Sequence, residues 1–382
     1  MAAAGWRVTV VADGAGPSPS SSDVPPGVTV VRTGGDVRSD GAPGVRDYLF
    51  ALRRLMVRAM RLPRQDVVVT MTDPPLLALA GPMLAARHGA ASIHWCQDLY
   101  PALLPVLGVR VSGPLFGAVE RASVYALRHH DAVVTIGRCM ARRMVALGVP
   151  DERITVVPNW ADPRIHPVPR AENPFRFRNG LGDGFIVAYS GNLGLAHPMA
   201  GVLDAAAELD RTDPDITILV IGEGKGRPAL AEAVAARGLR NVRFLPLQLA
   251  EGLAESLSAA DLHFATMDPR AEGLLVPSKV AGALAAGRPC LFLGPAGSEA
   301  AALVNGCGRV LDPYDGSGLA AAVRTYARNP ALCADEGRQA VATAAAWDAD
   351  AAARSFSALA AAVLKPSARP MTGAVGRGLP HA

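Results

Sequence analysis

Apolar runs of four to six residues alternate with longer stretches of helical periodicity along most of the chain. Residues 7–12, 28–32, 66–71, 92–96, 132–136 and 154–158 are short, rich in Val and Ile, and read as strands. Between them, residues 47–62, 76–87, 115–128 and 138–147 repeat apolar positions every three to four residues and read as helices. Strand and helix in alternation predict parallel sheets covered by helices.

The rhythm breaks at residues 159–183, a polar, proline-bearing stretch that reads as an interdomain connection. It then restarts, with strands predicted at 185–189, 216–221, 241–245, 262–265, 289–293 and 309–311. Helices are predicted at about 198–209, 227–238, 250–258, 278–286, 297–304 and 317–327. The chain therefore divides into a first unit, residues 1–163, and a second, residues 164–346, each Rossmann-like and doubly wound. Residues 331–364 are alanine-rich and helical; they include a C-terminal helix at 347–365, after which 366–382 is expected to be a disordered tail.

The start is unusual. Met1 to Gly5 looks like the last turn of a helix with its glycine stop, and a strand follows directly. A doubly wound domain opens with a strand that lies in the middle of its sheet. That strand is missing here, so two exposed strand edges are expected, and the first domain looks truncated at its start.

Composition narrows the class. Half of the 382 residues are apolar and 19% are charged, which excludes a disordered chain. The five cysteines are odd in number and scattered, giving no disulfide framework, and no apolar stretch is long enough to span a bilayer. A cytoplasmic location is expected. Residues 1–163 hold 17 basic and 13 acidic side chains against 21 of each in residues 164–382, too mild a surplus for nucleic-acid binding. Only three of the 38 basic residues are lysines, Lys225, Lys279 and Lys365, and the first two fall in motifs.

Three segments carry candidate chemistry. Ser190-Gly191-Asn192-Leu193-Gly194-Leu195-Ala196-His197 follows a strand; its glycines permit close approach of a ligand, and helix-start amides would attract a diphosphate. An ordinary strand-to-helix turn has the same shape. Gly222-Glu223-Gly224-Lys225-Gly226 follows the next strand, with Lys225 either solvated or screening phosphate. Glu272-Gly273-Leu274-Leu275-Val276-Pro277-Ser278-Lys279 leads into a helix whose amino end, with Lys279, would hold phosphate oxygens. In the first unit His94-Trp95-Cys96-Gln97-Asp98-Leu99-Tyr100-Pro101 follows a strand. Asp98 either takes a hydrogen bond from an acceptor hydroxyl or caps the next turn.

The ordered set SGNLGLAH, IGEGKG, NVRFLPLQ and GLLVPSKVAGALAAGRP, preceded by HWCQDLYP and VVPNW, resembles the family 4 glycosyltransferases of the GT-B fold. The likeness runs from about Trp6 to Ala346 and is nearest the enzymes of bacterial surface-polysaccharide assembly. It implies retaining transfer of a sugar from a nucleoside-diphosphate donor, with UDP expected, held by the second domain. The acceptor, lipid-linked or a saccharide, would lie on the first, near Gln97, Asp98 and Tyr100. By the same resemblance Ser190, Gly191, Asn192, Gly194, His197, Gly222, Glu223, Gly224 and Lys225 face the donor, and Phe244, Leu245 and Pro246 border its base. Glu272, Gly273, Leu274, Pro277, Ser278 and Lys279 meet its diphosphate and sugar, with Asp98 and Lys279 as the catalytic candidates.

The chain departs from that pattern in places. Asn192 and His197 stand where many relatives carry Arg and Lys, and Gln97 where many carry His. The second glutamate of the family's Glu-x7-Glu pair falls on Gly282, in a register that differs by two from the one placing Glu272 as the first. Neither the histidines nor the two Asp-x-Asp triplets, at Asp213 and Asp348, have metal-site placement, so no metal or other cofactor is expected. Two rival readings are an acceptor-free epimerase acting on UDP-N-acetylglucosamine and a non-catalytic nucleotide-sugar-binding protein. Finally, residues 46–64 form an amphipathic helix in which Arg46, Arg53, Arg54, Arg58 and Arg61 share one side; packing of the opposite, apolar face on its own sheet is the commoner outcome for such a helix, and the basic face would also suit the inner surface of an anionic membrane.

Overall fold

A computed structural model describes residues 1–14, 24–34, 45–109 and 113–364. The strands are β1 (Val8–Ala12), β2 (Val28–Arg32), β3 (Val67–Thr70), β4 (Ala91–Cys96), β5 (Ala132–Thr135), β6 (Ile154–Val156), β7 (Phe185–Ser190), β8 (Ile216–Ile221), β9 (Val242–Leu245), β10 (Leu262–Thr266), β11 (Cys290–Leu293) and β12 (Gly308–Leu311). The helices are α1 (Val45–Met60), α2 (Ala80–His88), α3 (Pro114–His129), α4 (Arg138–Ala146), α5 (Pro174–Arg178), α6 (Ala200–Thr212), α7 (Arg227–Ala236), α8 (Leu253–Ser258), α9 (Lys279–Ala285), α10 (Glu299–Leu303), α11 (Gly316–Ala327), α12 (Pro330–Ala345) and α13 (Ala349–Ala362).

Every strand pair is parallel. In the second half β12-β11-β10-β7-β8-β9 form one six-stranded sheet. All residues of β10 and β11 are buried, as expected of central strands with helices on both faces. The order reverses between β7 and β10, and a doubly wound sheet opens its ligand crevice at such a point, beyond the carboxyl ends of the strands. In the first half the strands do not close into one sheet: β1 and β2 form a pair, and β3-β4-β5-β6 a separate four-stranded sheet. Among the described residues β1 and β3 each pair on one side only.

Side-chain caps fix several helix starts in the second half. Ser298, Asp315, Asn329 and Asp348 accept from the backbone amides of Ala301, Gly318, Leu332 and Ala351. The connecting stretch 159–183 is more ordered than its polarity suggests. Phe175 and Arg176 in α5 are buried, and the Arg176 guanidinium donates to the carbonyls of Ala259, Gly182 and Gly184. A phenylalanine and an arginine read as linker residues in sequence thus anchor the connection to the second domain.

The alanine-rich helical stretch expected at 331–364 forms two helices, α12 and α13, parted around Trp347. Asp348 caps the second piece, which returns to the first domain: Ala352, Phe356 and Ala360 pack against Ile93, Ala132, Val134 and Val157. The tail expected to be disordered lies outside the described residues. Between the domains one apolar core runs without interruption, joining Cys96, Ile136 and Met140 to Met267, Leu274 and Ala300.

Candidate active site

The loops after β7 and β8 interlock through their backbones. Gly191 and Leu193 donate to the carbonyls of Ile221 (2.9 Å) and Glu223 (2.8 Å), and Gly226 donates to that of Leu193 (2.9 Å). Gly222 and Gly224 have φ of 138° and 136°, and a Cβ on either would collide with Gly191 or with Asn192 and Leu193. Only glycine fits both the conformation and the space. This corrects one expectation, since the Gly191 and Leu193 amides are spent on the neighbouring loop and α6 starts only at Ala200. The motif is a close-packed platform, not an open helix start.

What rises from the platform is Lys279. Its methylenes lie beside Gly191, 3.2 Å from where a Cβ would stand, and its ammonium sits over the Tyr189 ring at 5.2 Å. The ammonium donates to His197 Nε2 (3.1 Å), and His197 Nδ1 donates to the carbonyl of Thr266 (2.5 Å). A carbonyl can only accept, so the proton is on Nδ1 and Nε2 is the acceptor. Burial, then the neighbouring ammonium, lowers His197 to about 4, which keeps it neutral. Burial lowers Lys279 to about 8. Thr266, His197 and Lys279 thus meet beside Tyr189 and Gly191, at the switch point between β7, which ends at Ser190, and β10.

The remaining predicted donor residues surround this point unevenly. Lys225 and Ser278 are exposed, and Ser278 caps nothing with its side chain. Pro277 is buried ahead of Ser278, not in the first turn of α9, and that helix is only seven residues long. Glu223 pairs with Arg227 (3.7 Å), whose guanidinium lies over Phe244 at 5.5 Å, and Gly222 donates to the Leu245 carbonyl. Pro246 is exposed beside them. The Glu272 carboxylate packs against Gly297. Gly282 meets Leu257 and Ile165 at ordinary contact distance, and Val280, the alternative register, is fully buried; neither supplies a carboxylate.

The first domain contributes a second cluster. Thr72 Oγ1 accepts from the amides of Gln97 (2.8 Å) and Asp98 (3.3 Å), and Asn159 donates to the Gln97 side chain (2.7 Å). Burial, then the charge of Asp73, raises Asp98 above the usual carboxylate range. Burial and the charges of Asp98 and Asp73 push Tyr100 up to about 12. The residues after Asp98 form successive turns and no assigned helix, so the capping reading loses its helix. Leu99 donates to the Leu274 carbonyl (2.8 Å), which brings the Asp98 loop against the loop that leads to Lys279. Thr72 and Asp73 were not singled out in sequence, where the dipeptide Asp73-Pro74 after a strand was the available signal; Asn159 lies in the VVPNW segment, though no role was assigned to it.

Residues 1–160 match the family model described as a glycosyl transferase 4-like domain, and residues 184–329 the model of the glycosyl transferases group 1. The chain belongs to the glycosyltransferases. It is 28% identical over 275 residues to WcaI of Escherichia coli K12, a glycosyl transferase ascribed to colanic acid biosynthesis, covering 70% of this chain and 67% of that one. Among solved structures it resembles HepE of Anabaena in complex with UDP-glucose, with a TM-score of 0.66 at 17% identity over 87% and 86% of the two chains. It also resembles the sucrose-phosphate synthase of Thermosynechococcus elongatus, with a TM-score of 0.73 at 18% identity over 95% and 90%. The architecture is GT-B.

Proposed function

We propose that the enzyme transfers a sugar from a UDP-linked donor, with retention at the anomeric carbon, to a lipid-linked or saccharide acceptor in surface-polysaccharide synthesis. The observation that carries this reading is Lys279, a half-buried cation at the switch point of the second sheet, held by a neutral His197 and facing glycine backbone. A nucleoside diphosphate leaving group gains one negative charge, on top of the two the donor already carries, as its bond to the sugar breaks. A cation already in place, in a site that excludes water, stabilises that charge with little reorganisation.

On the acceptor side Asp98, with its raised proton affinity, accepts the hydroxyl proton, and Gln97 and Tyr100 orient the sugar. The domains contact through Leu99 and Leu274, so acceptor and donor loops are already adjacent. UDP is favoured because the similar HepE structure holds UDP-glucose. No helix among the described residues is long and apolar enough to cross a membrane. We place the enzyme in the cytoplasm, reaching a lipid-linked acceptor through α1, where Arg46, Arg53 and Arg58 are exposed next to Leu49, Phe50 and Met60. Arg54 leaves that face to pair with Asp13.

The test is calorimetric titration of UDP-, GDP- and TDP-sugars, followed by product analysis with polyprenyl-linked and free saccharide acceptors. UDP-sugar binding in the micromolar range and an α-linked product from an α-linked donor are expected. Absence of binding by all three donors, or an inverted product, would overturn the proposal. Epimerised free sugar nucleotide without acceptor would favour the epimerase reading instead.

A further inference from the structure

Asp98, the residue that takes the hydroxyl proton in the reaction proposed above, has nothing of its own to hold its direction. Among the described residues no hydrogen bond or ion pair reaches its carboxylate, and the charge that acts on it is the like charge of Asp73. A side chain so placed is aimed by its backbone, and whatever fixes the turn at 97–99 therefore fixes the carboxylate.

Three segments fix that turn at the carboxyl end of the first sheet. β3 and β4 pair from Val67 and Ala91 to Thr70 and His94, and their ladder then stops. Two residues beyond it the Thr72 side chain takes the place of a backbone carbonyl: its Oγ1 accepts from the amides of Gln97 (2.8 Å) and Asp98 (3.3 Å). Both lone pairs of the hydroxyl are then in use. Thr72 is 6% exposed, so water has no route to replace it. In the segment after β6, Asn159 donates to the Gln97 side chain (2.7 Å). From the second domain the Leu274 carbonyl accepts from the Leu99 amide (2.8 Å), which ties the same turn to the loop that leads to Lys279. Of the three, Thr72 alone bonds the backbone of Asp98 itself.

We propose that Thr72, supported by Asn159, is the positioning residue of the acceptor side: it contacts no reacting atom and holds the Gln97–Asp98 turn where the Asp98 carboxylate meets the acceptor hydroxyl. The proposal rests on the reading of Asp98 as the proton acceptor. Its chemistry is specific to the hydroxyl. Valine matches threonine in shape but offers no lone pair and leaves two amides unpartnered, whereas serine keeps the acceptor. Displacing a reacting group by about 1 Å costs up to about a hundredfold in rate, so a slight loosening of the turn registers in kcat.

The test is a double-mutant cycle on Thr72 and Asp98, with UDP-glucose as donor and polyprenyl-linked and free saccharides as acceptors. Thr72→Val is expected to lower kcat about tenfold with KM for the donor within about twofold of the parent, and Thr72→Ser to restore kcat to within about threefold. In the Asp98→Asn enzyme the Thr72→Val change should have no further effect, because the group it positions is gone. Asn159→Ala, which strands no buried amide, should lower kcat about threefold and lose its effect in the same way. Hydrogen exchange on Thr72→Val reads the turn directly: the Gln97 and Asp98 amides should exchange at least about tenfold faster while those of β4 stay unchanged. Equal losses of kcat in both backgrounds, a serine variant as slow as the valine variant, or unchanged kcat in Thr72→Val overturns the proposal and leaves Asp98 its role. Unchanged kcat in Asp98→Asn instead removes the proton acceptor, and the positioning role falls with it.

Discussion

Lys279 is held by contacts that decide how it responds to pH. Its lowered pKa of about 8 means that the free enzyme loses the ammonium charge above that pH, while a bound diphosphate would restore it. Linkage then sets the sign: donor affinity is full below pH 8 and falls as pH rises, by about tenfold between pH 7 and pH 9. Calorimetry with UDP-glucose at the two values measures it. Lys279→Met should flatten the profile and lower affinity at pH 7 by roughly 10- to 100-fold, the worth of one charged hydrogen-bond set. On the acceptor side Asp98→Asn should lower kcat by at least about tenfold with little change in donor binding, because the amide cannot take up the hydroxyl proton. The lysine was legible in sequence through its rarity and its motif, but its partner was not: nothing in the spacing of residues 197 and 279 indicates that an imidazole and an ammonium meet.

The elements were legible where apolar periodicity was long or glycine and proline marked a boundary. The strand at 28–32 and that at 216–221 have the predicted bounds, and most others differ by a residue or two. Polarity misled at 159–183, where Arg176 is buried by carbonyl partners brought from residues 182, 184 and 259, contacts that no local pattern records. The glycine loops were recognised as a ligand platform, but their backbone pairing with one another depends on the adjacency of β7 and β8. That pairing predicts a difference among glycines. Gly222→Ala, with positive φ and the Gly191 carbonyl in the way, should cost about 3 kcal/mol or more. Gly252→Ala, in right-handed backbone with open space around it, should stay within about 0.5 kcal/mol of the parent. Urea denaturation of both variants provides the comparison.

At the scale of the molecule, the two domains are joined by a shared apolar core and by several polar contacts, one of which has partners of unequal burial. Glu299, 4% exposed at the start of α10, accepts from the Arg138 amide (2.6 Å) and from its guanidinium (3.0 Å), while the Arg138 side chain is 67% exposed. Water can replace the carboxylate at the guanidinium but not at the amide, which sits at the start of α4 against the other domain. The two truncations should therefore differ. Arg138→Ala removes an exposed charge and keeps the amide contact, at a cost of about 0.5 kcal/mol or less. Glu299→Ala strands the amide and opens the interface, at about 1–3 kcal/mol. Because the Glu299 contact ties together the same two domains as the Leu99–Leu274 hydrogen bond that apposes the acceptor and donor loops, the second variant should also raise KM for the acceptor more than for the donor. Steady-state kinetics with each substrate varied in turn, on protein whose melting temperature is known, separates the loss of apposition from a general loss of stability.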